Sequence, residues 1–392
     1  MKPIDRLMSL LAMTLIVLII GALIIVNRGL ANVAGQEPSF EQSVFRVINA
    51  VTLTGFETPV NINEYKPLGQ ATVFILMVGG SLITLLVGSL ALKRGLQLPQ
   101  SDGQIIQITI LTYLTFGLIG ATVLVGPQLK LFPAFFQSAS AFGNCGLVLG
   151  PQPQAGDWKT QVVLLPLAFI GGLGIPVLMD IGACVNRQHH LRDQTRVILS
   201  VSALLYVVGV GSIFLIEKTS GNDSMQSLIN ASTESLNSRT LGLPLGALNS
   251  LMPASKWIIL VLMFVGGSPG GTAAGLKTTT VAVLVRDIIR SVKGQVVGRA
   301  FGLAAGWLLV YLAAIVLTTI ALLFIQPQAP GEQMLWLTIS ALSNVGESHA
   351  PVVLSEGCLF VLSGAMLFGR VVPLIFLWKM ARSDKPESLM IR

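Results

Sequence analysis

The sequence predicts an all-α polytopic membrane protein made of four covalently linked helix–pore-loop–helix repeats. Three observations predict this fold. The 392 residues are 53% hydrophobic and only 11% charged. Eight apolar segments are long enough to cross a bilayer, and inside each consecutive pair of segments lies a shorter apolar stretch that ends in a glycine turn. We therefore expect eight transmembrane helices and four re-entrant half-helices around a pseudo-fourfold pore.

The composition excludes several other classes of protein. An average soluble domain is about 25% charged, so a chain with a mean hydropathy of +0.76 is poorly suited to a soluble surface. Soluble enzymes, disordered scaffolds and nucleic-acid binders are poor interpretations, and we expect a lipid bilayer and no nucleic acid as partner. Cys145, Cys184 and Cys358 lie far apart, without the spacing of a zinc or redox motif.

The long segments are the candidate transmembrane helices, each with roughly 20 or more apolar residues. The first follows Lys2 and Arg6 and has no evident cleavage site behind it, so we interpret it as a retained helix and not as a signal peptide. The eight segments are 7–26, 68–92, 103–125, 160–185, 197–216, 255–285, 301–325 and 357–378.

The short stretches are too short to span a bilayer and are better interpreted as re-entrant half-helices. Their turns read Thr-Leu-Thr-Gly-Phe, Gly-Asn-Cys-Gly-Leu, Arg-Thr-Leu-Gly-Leu and Ser-Asn-Val-Gly-Glu. The shared glycines fall 91, 96 and 104 residues apart, which indicates a repeat architecture, with coincidence as the alternative. The stretches are 40–54, 131–145, 224–241 and 332–345, and the glycines are Gly55, Gly146, Gly242 and Gly346.

The four units set the predicted domain boundaries. Each repeat contains a helix, a pore loop and a second helix, and the third also contains a glycine-rich break within its second span, at 266–280. The predicted repeats are 1–96, 97–190, 191–295 and 296–392.

The charges are distributed unevenly between the two faces of the membrane. Eight spans place both termini on one side, where 15 Lys and Arg residues fall, against eight on the other side. Lys277 and Arg370 remain at membrane depth. The positive-inside rule then predicts a cytoplasmic membrane protein with both termini in the cytoplasm. Eleven of the 18 acidic residues fall on the outer side, where negative charge raises the local concentration of cations.

Four re-entrant glycine turns suit a cation pathway. Non-helical backbone at membrane depth is costly unless it lines a water-filled path. Glycine permits the backbone angles that direct successive carbonyl oxygens toward one axis, and each half-helix points its partly negative C-terminal end toward the membrane interior. The pattern therefore predicts a ring of carbonyl oxygens, which is the physical basis of a potassium-type selectivity filter.

The segment 266–280 reads Gly-Gly-Ser-Pro-Gly-Gly-Thr-Ala-Ala-Gly-Leu-Lys-Thr-Thr-Thr and cannot continue as an ordinary helix. A phosphate-binding loop is a poor match, because Leu276 occupies the lysine position and Lys277 comes one residue late. A movable gate fits the context better, and tight packing of small residues at a helix crossing is the alternative. The candidate gate residues are Gly266, Gly267, Gly270, Gly271, Gly275 and Lys277.

Arg370 lies within the last predicted span, where an arginine is expensive and usually faces a cavity or a partner. We expect Arg370 either to form an electrostatic barrier in the pore or to bind the carbonyl groups of 266–276 and hold that loop shut. A side chain that snorkels toward the membrane surface is the alternative.

These motifs resemble those of the Trk/Ktr/HKT superfamily of potassium transporters, and within it the bacterial Trk- and Ktr-type pore-forming membrane subunits. The segment 266–280 is similar to the gate loop of that family and is the most specific match. Three further signatures resemble pore loops, and a fourth resembles the Gly-Arg of the final helix. In order along the chain they are 54–56, 142–147, 239–243 and 368–370.

The resemblance implies a fourfold pseudosymmetric pore, with K+ as the transported ion and no cofactor. It also implies a homodimer and a cytoplasmic ring of RCK-type nucleotide-binding regulatory subunits. In the same way it implies that 266–276 is the gate and that Arg370 contacts it. The implied filter residues, which would bind K+, are Thr54, Gly55, Asn144, Cys145, Gly146, Thr240, Leu241, Gly242, Asn344, Val345 and Gly346.

The fourth loop departs from the family pattern. Asn344-Val345-Gly346-Glu347 stands where Thr-Val-Gly-Leu is common, and in the second loop Gly143 replaces a usually polar residue. A carboxylate beside the filter would attract cations or alter the selectivity among K+, Na+ and protons.

The leading expectation is K+ uptake through the pore, with other classes left open. A cation-coupled secondary transporter would show two related halves, whereas four units are seen, and a Na+-permeable pore or a non-conducting paralogue would retain the fold. An enzyme is not expected, since His189, His190 and His349 are the only imidazole bases in the chain.

Overall fold

The computed structural model describes residues 3–27, 38–95, 98–187, 190–221, 223–348 and 352–382. In these ranges the regular structure is helical, and the predicted all-α polytopic fold is confirmed. The helices are α1 (Pro3–Asn27), α2 (Phe40–Val51), α3 (Pro67–Gly95), α4 (Asp102–Leu124), α5 (Leu131–Gly143), α6 (Leu165–Leu173), α7 (Ile175–Val185), α8 (Asp193–Thr219), α9 (Ser224–Leu236), α10 (Ala247–Ser250), α11 (Pro253–Phe264), α12 (Thr278–Val292), α13 (Arg299–Ile325), α14 (Gly331–Leu342) and α15 (Glu356–Arg382).

Six helices in the described ranges are long and apolar enough to cross a membrane, namely α1, α3, α4, α8, α13 and α15. Their outer faces carry large apolar side chains: on α13, Leu309, Leu317 and Phe324 are 66%, 68% and 85% exposed. A contiguous apolar surface on long helices is suited to lipid and not to water. These six helices correspond to six of the eight predicted long segments.

The four half-helices α2, α5, α9 and α14 have 12 or 13 residues each. At 1.5 Å per residue they rise about 20 Å, short of the roughly 30 Å hydrocarbon core of a bilayer. Protein encloses their C-terminal parts: every residue of α5 from Phe136 to Gly143 is buried. Such enclosure is the condition under which a chain can enter and leave the membrane from one face.

The repeats form a closed ring. The second span of each repeat, or one helix of it where the span is broken, packs against the half-helix of the next repeat: α3 against α5, α6 against α9, α11 against α14, and α15 against α2. The last of these contacts returns to the first repeat, so the four units follow one another around the ring in chain order. The residue bounds of the repeats stay predictions, and residues 96 and 97 lie outside the described ranges.

The second span of the second repeat is broken, whereas 160–185 was predicted to be one segment. The helices α6 and α7 meet at Gly174 with a bend of 98°. Gly174 has a φ of +81°, which glycine adopts without a steric penalty, and Pro176 lacks the N–H group that a continuous helix would use. The break was missed because hydropathy reports polarity and not backbone direction.

The second span of the third repeat is also broken, as its glycine content predicted. Helices α11 and α12 are separated by residues 265–277, called here the inner loop. The ends of the inner loop are held together, because the N–H group of Gly266 donates to the Leu276 carbonyl at 3.0 Å and that of Thr278 to the Gly267 carbonyl at 3.1 Å. The inner loop therefore leaves and rejoins the chain at nearly the same place, between two short helices.

Two of the three histidines considered as bases, His189 and His349, lie outside the described residues, and His190 is exposed. Several charges used for the orientation, including Lys2 and Arg28, also lie outside them. The cytoplasmic location of both termini stays a prediction.

Candidate functional site

The four glycine turns meet in one ring. Gly55, Gly146, Gly242 and Gly346 have left-handed backbone angles, with φ values from +63° to +83°. A Cβ atom on any of them would collide with a carbonyl oxygen of another loop. That oxygen always belongs to the residue just before the next glycine in the ring: Cys145 for Gly55, Leu241 for Gly146, Val345 for Gly242 and Thr54 for Gly346. Only glycine fits, and four carbonyl oxygens stand at the contacts between neighbouring loops.

Loops 1 (52–57), 2 (143–148) and 4 (343–348) share one backbone turn. The residue before the glycine donates its N–H group to the carbonyl five residues earlier: Thr54 to Asn49 at 3.0 Å, Cys145 to Ser140 at 2.9 Å and Val345 to Ser340 at 2.9 Å. The residue two positions before the glycine has left-handed backbone angles, with φ of +59° at Leu53, +53° at Asn144 and +48° at Asn344. This conformation is strained outside glycine, so the surrounding structure imposes it in three repeats.

Loop 3 (239–244) is built differently. A π-helical turn, Asn237–Leu241, continues α9, and the N–H group of Gly242 donates to the Asn237 carbonyl at 3.0 Å. The extra residue in the turn shifts this hydrogen bond by one position relative to the other loops. Leu241 is fully buried, and the side chain of Thr240 lies outside the described part of the structure.

Two asparagines fix the outer ends of loops 1 and 3. The amide group of Asn49 donates to the Phe56 carbonyl at 2.9 Å and accepts from the Phe56 N–H at 2.9 Å. Asn237 binds the carbonyl and N–H of Leu243 in the same way, at 3.0 Å and 2.8 Å. Phe56 and Leu243 each follow a ring glycine, so these buried side chains set where the loop leaves the ring.

The side chains of Asn144 and Asn344 hold loops 2 and 4 in place. The Nδ2 of Asn144 donates to the Ala168 carbonyl on α6 at 3.0 Å, and the Nδ2 of Asn344 to the Met366 carbonyl on α15 at 3.0 Å. Each also reaches a threonine hydroxyl, Asn144 that of Thr272 at 2.6 Å and Asn344 that of Thr54 at 2.8 Å. Both predicted filter asparagines thus support the backbone through their side chains.

Arg370 joins loop 1 to the inner loop. Its Nε donates to the Thr52 carbonyl at 2.7 Å, one terminal nitrogen donates to the Leu53 carbonyl at 3.4 Å, and the other donates to the Thr272 carbonyl. Arg370 is 6% exposed, so it does not snorkel. Of the two predicted roles, the structure has the contact with inner-loop carbonyls.

The inner loop is docked on the break between α6 and α7. The N–H groups of Ser268 and Thr272 donate to the carbonyls of Gly172 and Gly171, each at 3.1 Å. The hydroxyl of Thr272 donates to the Phe142 carbonyl at 3.3 Å, directly before loop 2. Thr272 is fully buried and so links the inner loop to the base of the ring.

The predicted gate glycines lie where backbone packs on backbone. A Cβ on Gly266 would collide with the Ala274 carbonyl, one on Gly271 with the Gly172 carbonyl, and one on Gly267 would lie 2.8 Å from the Gly172 oxygen. Gly270 faces Leu92 of α3, where a Cβ would lie 2.7 Å from its side chain. Gly275 needs its φ of +69°. The inner loop is therefore closely packed in this state.

Lys277, the last residue of the inner loop, also binds a carbonyl group of that loop. Its Nζ donates to the Ala273 carbonyl at 2.6 Å. Lys277 and Arg370 both line a cavity of about 150 Å³, together with Trp307 and other residues of α12, α13 and α15. Two cationic groups therefore lie next to the space beneath the inner loop.

Arg239 is not at the outer surface, where the charge distribution predicted it. It is 4% exposed, and its guanidinium donates to the Ser202 carbonyl at 3.4 Å and to the Gly266 carbonyl at 3.3 Å. Arg239 is therefore, like Arg370, a buried arginine that binds a carbonyl group of the inner loop. Hydropathy misplaced it because it stands within three residues of a ring glycine, in a polar stretch.

Glu347 is not a free carboxylate beside the ring. Its side chain interacts with that of Glu234 on α9, and the two residues are 5% and 1% exposed. At loop 1 the corresponding acid is Glu57. It is partly buried and accepts a hydrogen bond from the Nε2 of Gln152 at 2.8 Å. Burial raises the pKa of the Glu57 carboxyl, and the hydrogen bond from Gln152 opposes that shift.

Four residues of the site were not predicted from the sequence, namely Thr272, Gly171, Gly172 and Glu234. Thr272 stands inside 266–280 but was passed over in favour of the glycines. The signal for Gly171 and Gly172 was the run Gly-Gly-Leu-Gly-Ile-Pro at 171–176, a breaker pattern within an apolar segment. Glu234 gave no local signal, since its partner lies in another repeat.

The fold and the ring of loops define a polytopic membrane protein with four re-entrant turns at its centre. Comparison with known proteins agrees with that class. Residues 217–385 match the family model described as TrkH, cation transport protein.

Relatives and solved structures extend the match beyond that region. The Ktr system potassium uptake protein B of Bacillus subtilis (strain 168) is 25% identical over 88% of this chain and 87% of its own. The potassium/sodium uptake protein NtpJ of Enterococcus hirae is 28% identical over 64% of this chain and 62% of its own. The crystal structure of the potassium transporter TrkH from Vibrio parahaemolyticus superposes with a TM-score of 0.72 at 17% identity, covering 89% of this chain and 79% of that one. The resemblance to Trk/Ktr-type membrane subunits is confirmed.

Proposed function

We propose that this protein carries K+ across the cytoplasmic membrane through the ring of loops. The observation that carries the proposal is the closed cycle of glycine-to-carbonyl contacts, which gathers one backbone carbonyl from each of four loops at one place. Carbonyl oxygens at short range replace the hydration shell of an alkali cation. The printed names of the relatives, which are potassium or potassium/sodium uptake proteins, support a monovalent cation as the substrate.

The proposal assigns the filter to backbone and side chains of all four loops. The carbonyl groups before the ring glycines would bind the ion, and the asparagine side chains would hold those groups in place. The proposed filter residues are Thr54, Gly55, Asn144, Cys145, Gly146, Thr240, Leu241, Gly242, Asn344, Val345 and Gly346.

The inner loop is the proposed gate. It lies directly under the ring, since Thr272 contacts both Asn144 and the Phe142 carbonyl. Its proposed moving parts are Gly266, Gly267, Gly270, Gly271, Gly275 and Lys277, with Arg370 as the residue that holds it shut. Opening would require the guanidinium to release the Thr272 carbonyl or to move with the loop.

A homodimer, a cytoplasmic regulatory subunit of the RCK type and both termini in the cytoplasm belong to the same proposal. The printed name of the Bacillus relative as part of a Ktr system supports a multi-component assembly. The chain would then act as a transporter and not as an enzyme.

Rb+ and Na+ uptake by the purified chain in liposomes tests the proposal. The wild type should take up Rb+ in competition with K+ and discriminate against Na+. Gly242→Ser should reduce that discrimination roughly tenfold, the factor that about 1.4 kcal/mol produces, because its Cβ would displace the Val345 carbonyl.

Gly246→Ser is the matched control. Gly246 has a similar φ of +72° and nothing within 4 Å of a Cβ, so this variant should keep wild-type selectivity. Unchanged selectivity in Gly242→Ser would refute the filter assignment, and absence of any cation uptake by the wild type would refute the function.

A Na+-permeable pore is the second candidate. The printed name of the Enterococcus relative, a potassium/sodium uptake protein, favours it. Equal wild-type uptake of Na+ and Rb+ in the same assay would select this alternative.

A further inference from the structure

Two carboxyl groups from different repeats meet next to the ring. Glu347 follows the ring glycine Gly346, and Glu234 lies on α9 of the preceding repeat. Both residues are buried, and each carboxyl group interacts with the other. Two buried carboxylates in contact repel each other, whereas one bound proton turns that repulsion into a hydrogen bond.

In the described part of the chain, no lysine or arginine binds the two carboxyl groups. Their interactions there are with each other and with Asn237, whose Nδ2 lies 3.4 Å from Glu234. The Oε2 atom of Glu347 is buried, and among these residues it has no hydrogen-bond partner. A second negative charge here would be unpaired in a low-dielectric site.

The charged groups on the elements packed around the pair are engaged elsewhere. Arg239 binds the carbonyls of Ser202 and Gly266, and Glu217 of α8 accepts from Ser255 and from the Met252 N–H. Arg370 of α15 binds loop 1 and the inner loop. The remaining charged residues on these elements are partly or fully exposed: Asp193, Arg196, Lys218, Lys256, Arg299, Glu332, Glu356 and Lys379. His349 lies outside the described residues.

The pair is connected to the ring on both sides. The backbone carbonyl of Glu347 accepts from the Trp336 indole at 3.0 Å, directly after Gly346. On the other side, Asn237 contacts Glu234 and also holds both backbone groups of Leu243, directly after Gly242. Loop 1 has the corresponding asparagine, Asn49, but no carboxyl pair. The carboxyl pair therefore lies between the outer ends of loops 3 and 4.

We propose that Glu234 and Glu347 form a proton-binding site that locks the outer ends of loops 3 and 4 and so positions their ring carbonyls. The site takes one proton from the outer solution. When it loses that proton at high external pH, the hydrogen bond is replaced by repulsion between two buried carboxylates, and the two loops separate. This inference rests on the proposed function, since the ring carbonyls are the ones assigned to the filter.

The pH dependence of cation selectivity tests the site. In the liposome assay, the Rb+ over Na+ preference of the wild type should fall about tenfold as external pH is raised from acidic to alkaline, as expected for losing a charge-assisted hydrogen bond. Glu347→Gln should keep the acidic-pH selectivity at every pH, because its amide donates permanently to Glu234 and carries the same charge as the protonated pair.

Glu234→Gln should behave like Glu347→Gln. Glu332→Gln, which changes an exposed acid at the start of α14, and His349→Gln should retain the wild-type pH profile. A wild-type selectivity that ignores pH, or a Glu347→Gln profile identical to the wild type, would overturn the proposal, as would loss of the profile in His349→Gln alone.

An infrared measurement separates this proposal from the proposed function, because it needs no transport. At neutral pH the wild type should show a protonated carboxylic acid C=O band that exchanges in D2O and is missing from Glu347→Gln. Absence of that difference band overturns the proton site even if Rb+ flux is measured. A difference band in a chain without flux upholds the site and refutes the function.

Discussion

At the scale of single residues, the most consequential side chain is Arg370, because it contacts two parts of the chain that have to move relative to each other. It satisfies the carbonyls of Thr52 and Leu53 under loop 1 and the carbonyl of Thr272 in the inner loop. A buried arginine with only carbonyl partners is unusual, since its charge is not neutralised by an acid. The partly negative C-terminal end of α2, where Thr52 lies, favours it.

Arg370→Gln should loosen the inner loop and raise basal cation uptake several-fold. Glutamine keeps one donor group but cannot reach three carbonyls, so at least one buried carbonyl is left without a partner, at about 1–3 kcal/mol of folding stability. Liposome flux and thermal unfolding in detergent measure the two effects. Arg299→Gln, which changes an exposed arginine at the start of α13, should leave both unchanged. Lower stability with unaltered flux would contradict the proposed gate role.

At the scale of elements, the broken helices form one unit. The inner loop between α11 and α12 has its backbone hydrogen-bonded to Gly171 and Gly172, next to the bend between α6 and α7. An interrupted helix leaves backbone N–H and carbonyl groups unpaired, which is costly. Here the unpaired groups of the two broken spans form hydrogen bonds with each other. The break in the second repeat therefore supports the break in the third.

Gly174→Ala should disturb this unit. The new Cβ would collide with the backbone of Gly270 and Gly271, and φ of +81° is unfavourable for alanine. We expect a loss of about 2 kcal/mol or more in stability and displacement of the inner loop, read out as altered basal flux. Gly182→Ala lies on α7 with no atom within 4 Å of the Cβ and should be neutral or slightly stabilising. Equal behaviour of the two variants would contradict the docking of the inner loop.

The elements that could be predicted from the sequence are those marked by a strong local pattern of residues. The half-helices and the break at 266–280 were predictable, because short apolar length and five glycines in ten residues are local features. The bend at Gly174 has a weaker local pattern inside a uniformly apolar segment. The depth of Arg239 and the pairing of Glu234 with Glu347 were not predictable, since each depends on contacts between residues distant in the chain.

At the scale of the whole molecule, the four repeats are joined into a ring by two separate sets of contacts. Helix packing closes a cycle in which the second span of each repeat, or one helix of a broken span, contacts the next half-helix. The glycine-to-carbonyl contacts close a second cycle in the same order at the centre. The outer scaffold thus fixes the spacing of the inner carbonyls, which is the preorganisation that ion binding by neutral oxygens requires.

Anomalous diffraction from crystals grown in Rb+ or Tl+ tests the central claim most directly. We predict an anomalous peak on the ring axis among the carbonyl oxygens of Thr54, Cys145, Leu241 and Val345, weakened when excess K+ is present and absent in Gly242→Ser. Ion peaks located only elsewhere in the chain, with none among these four oxygens, would contradict the assignment of the ring as the ion pathway.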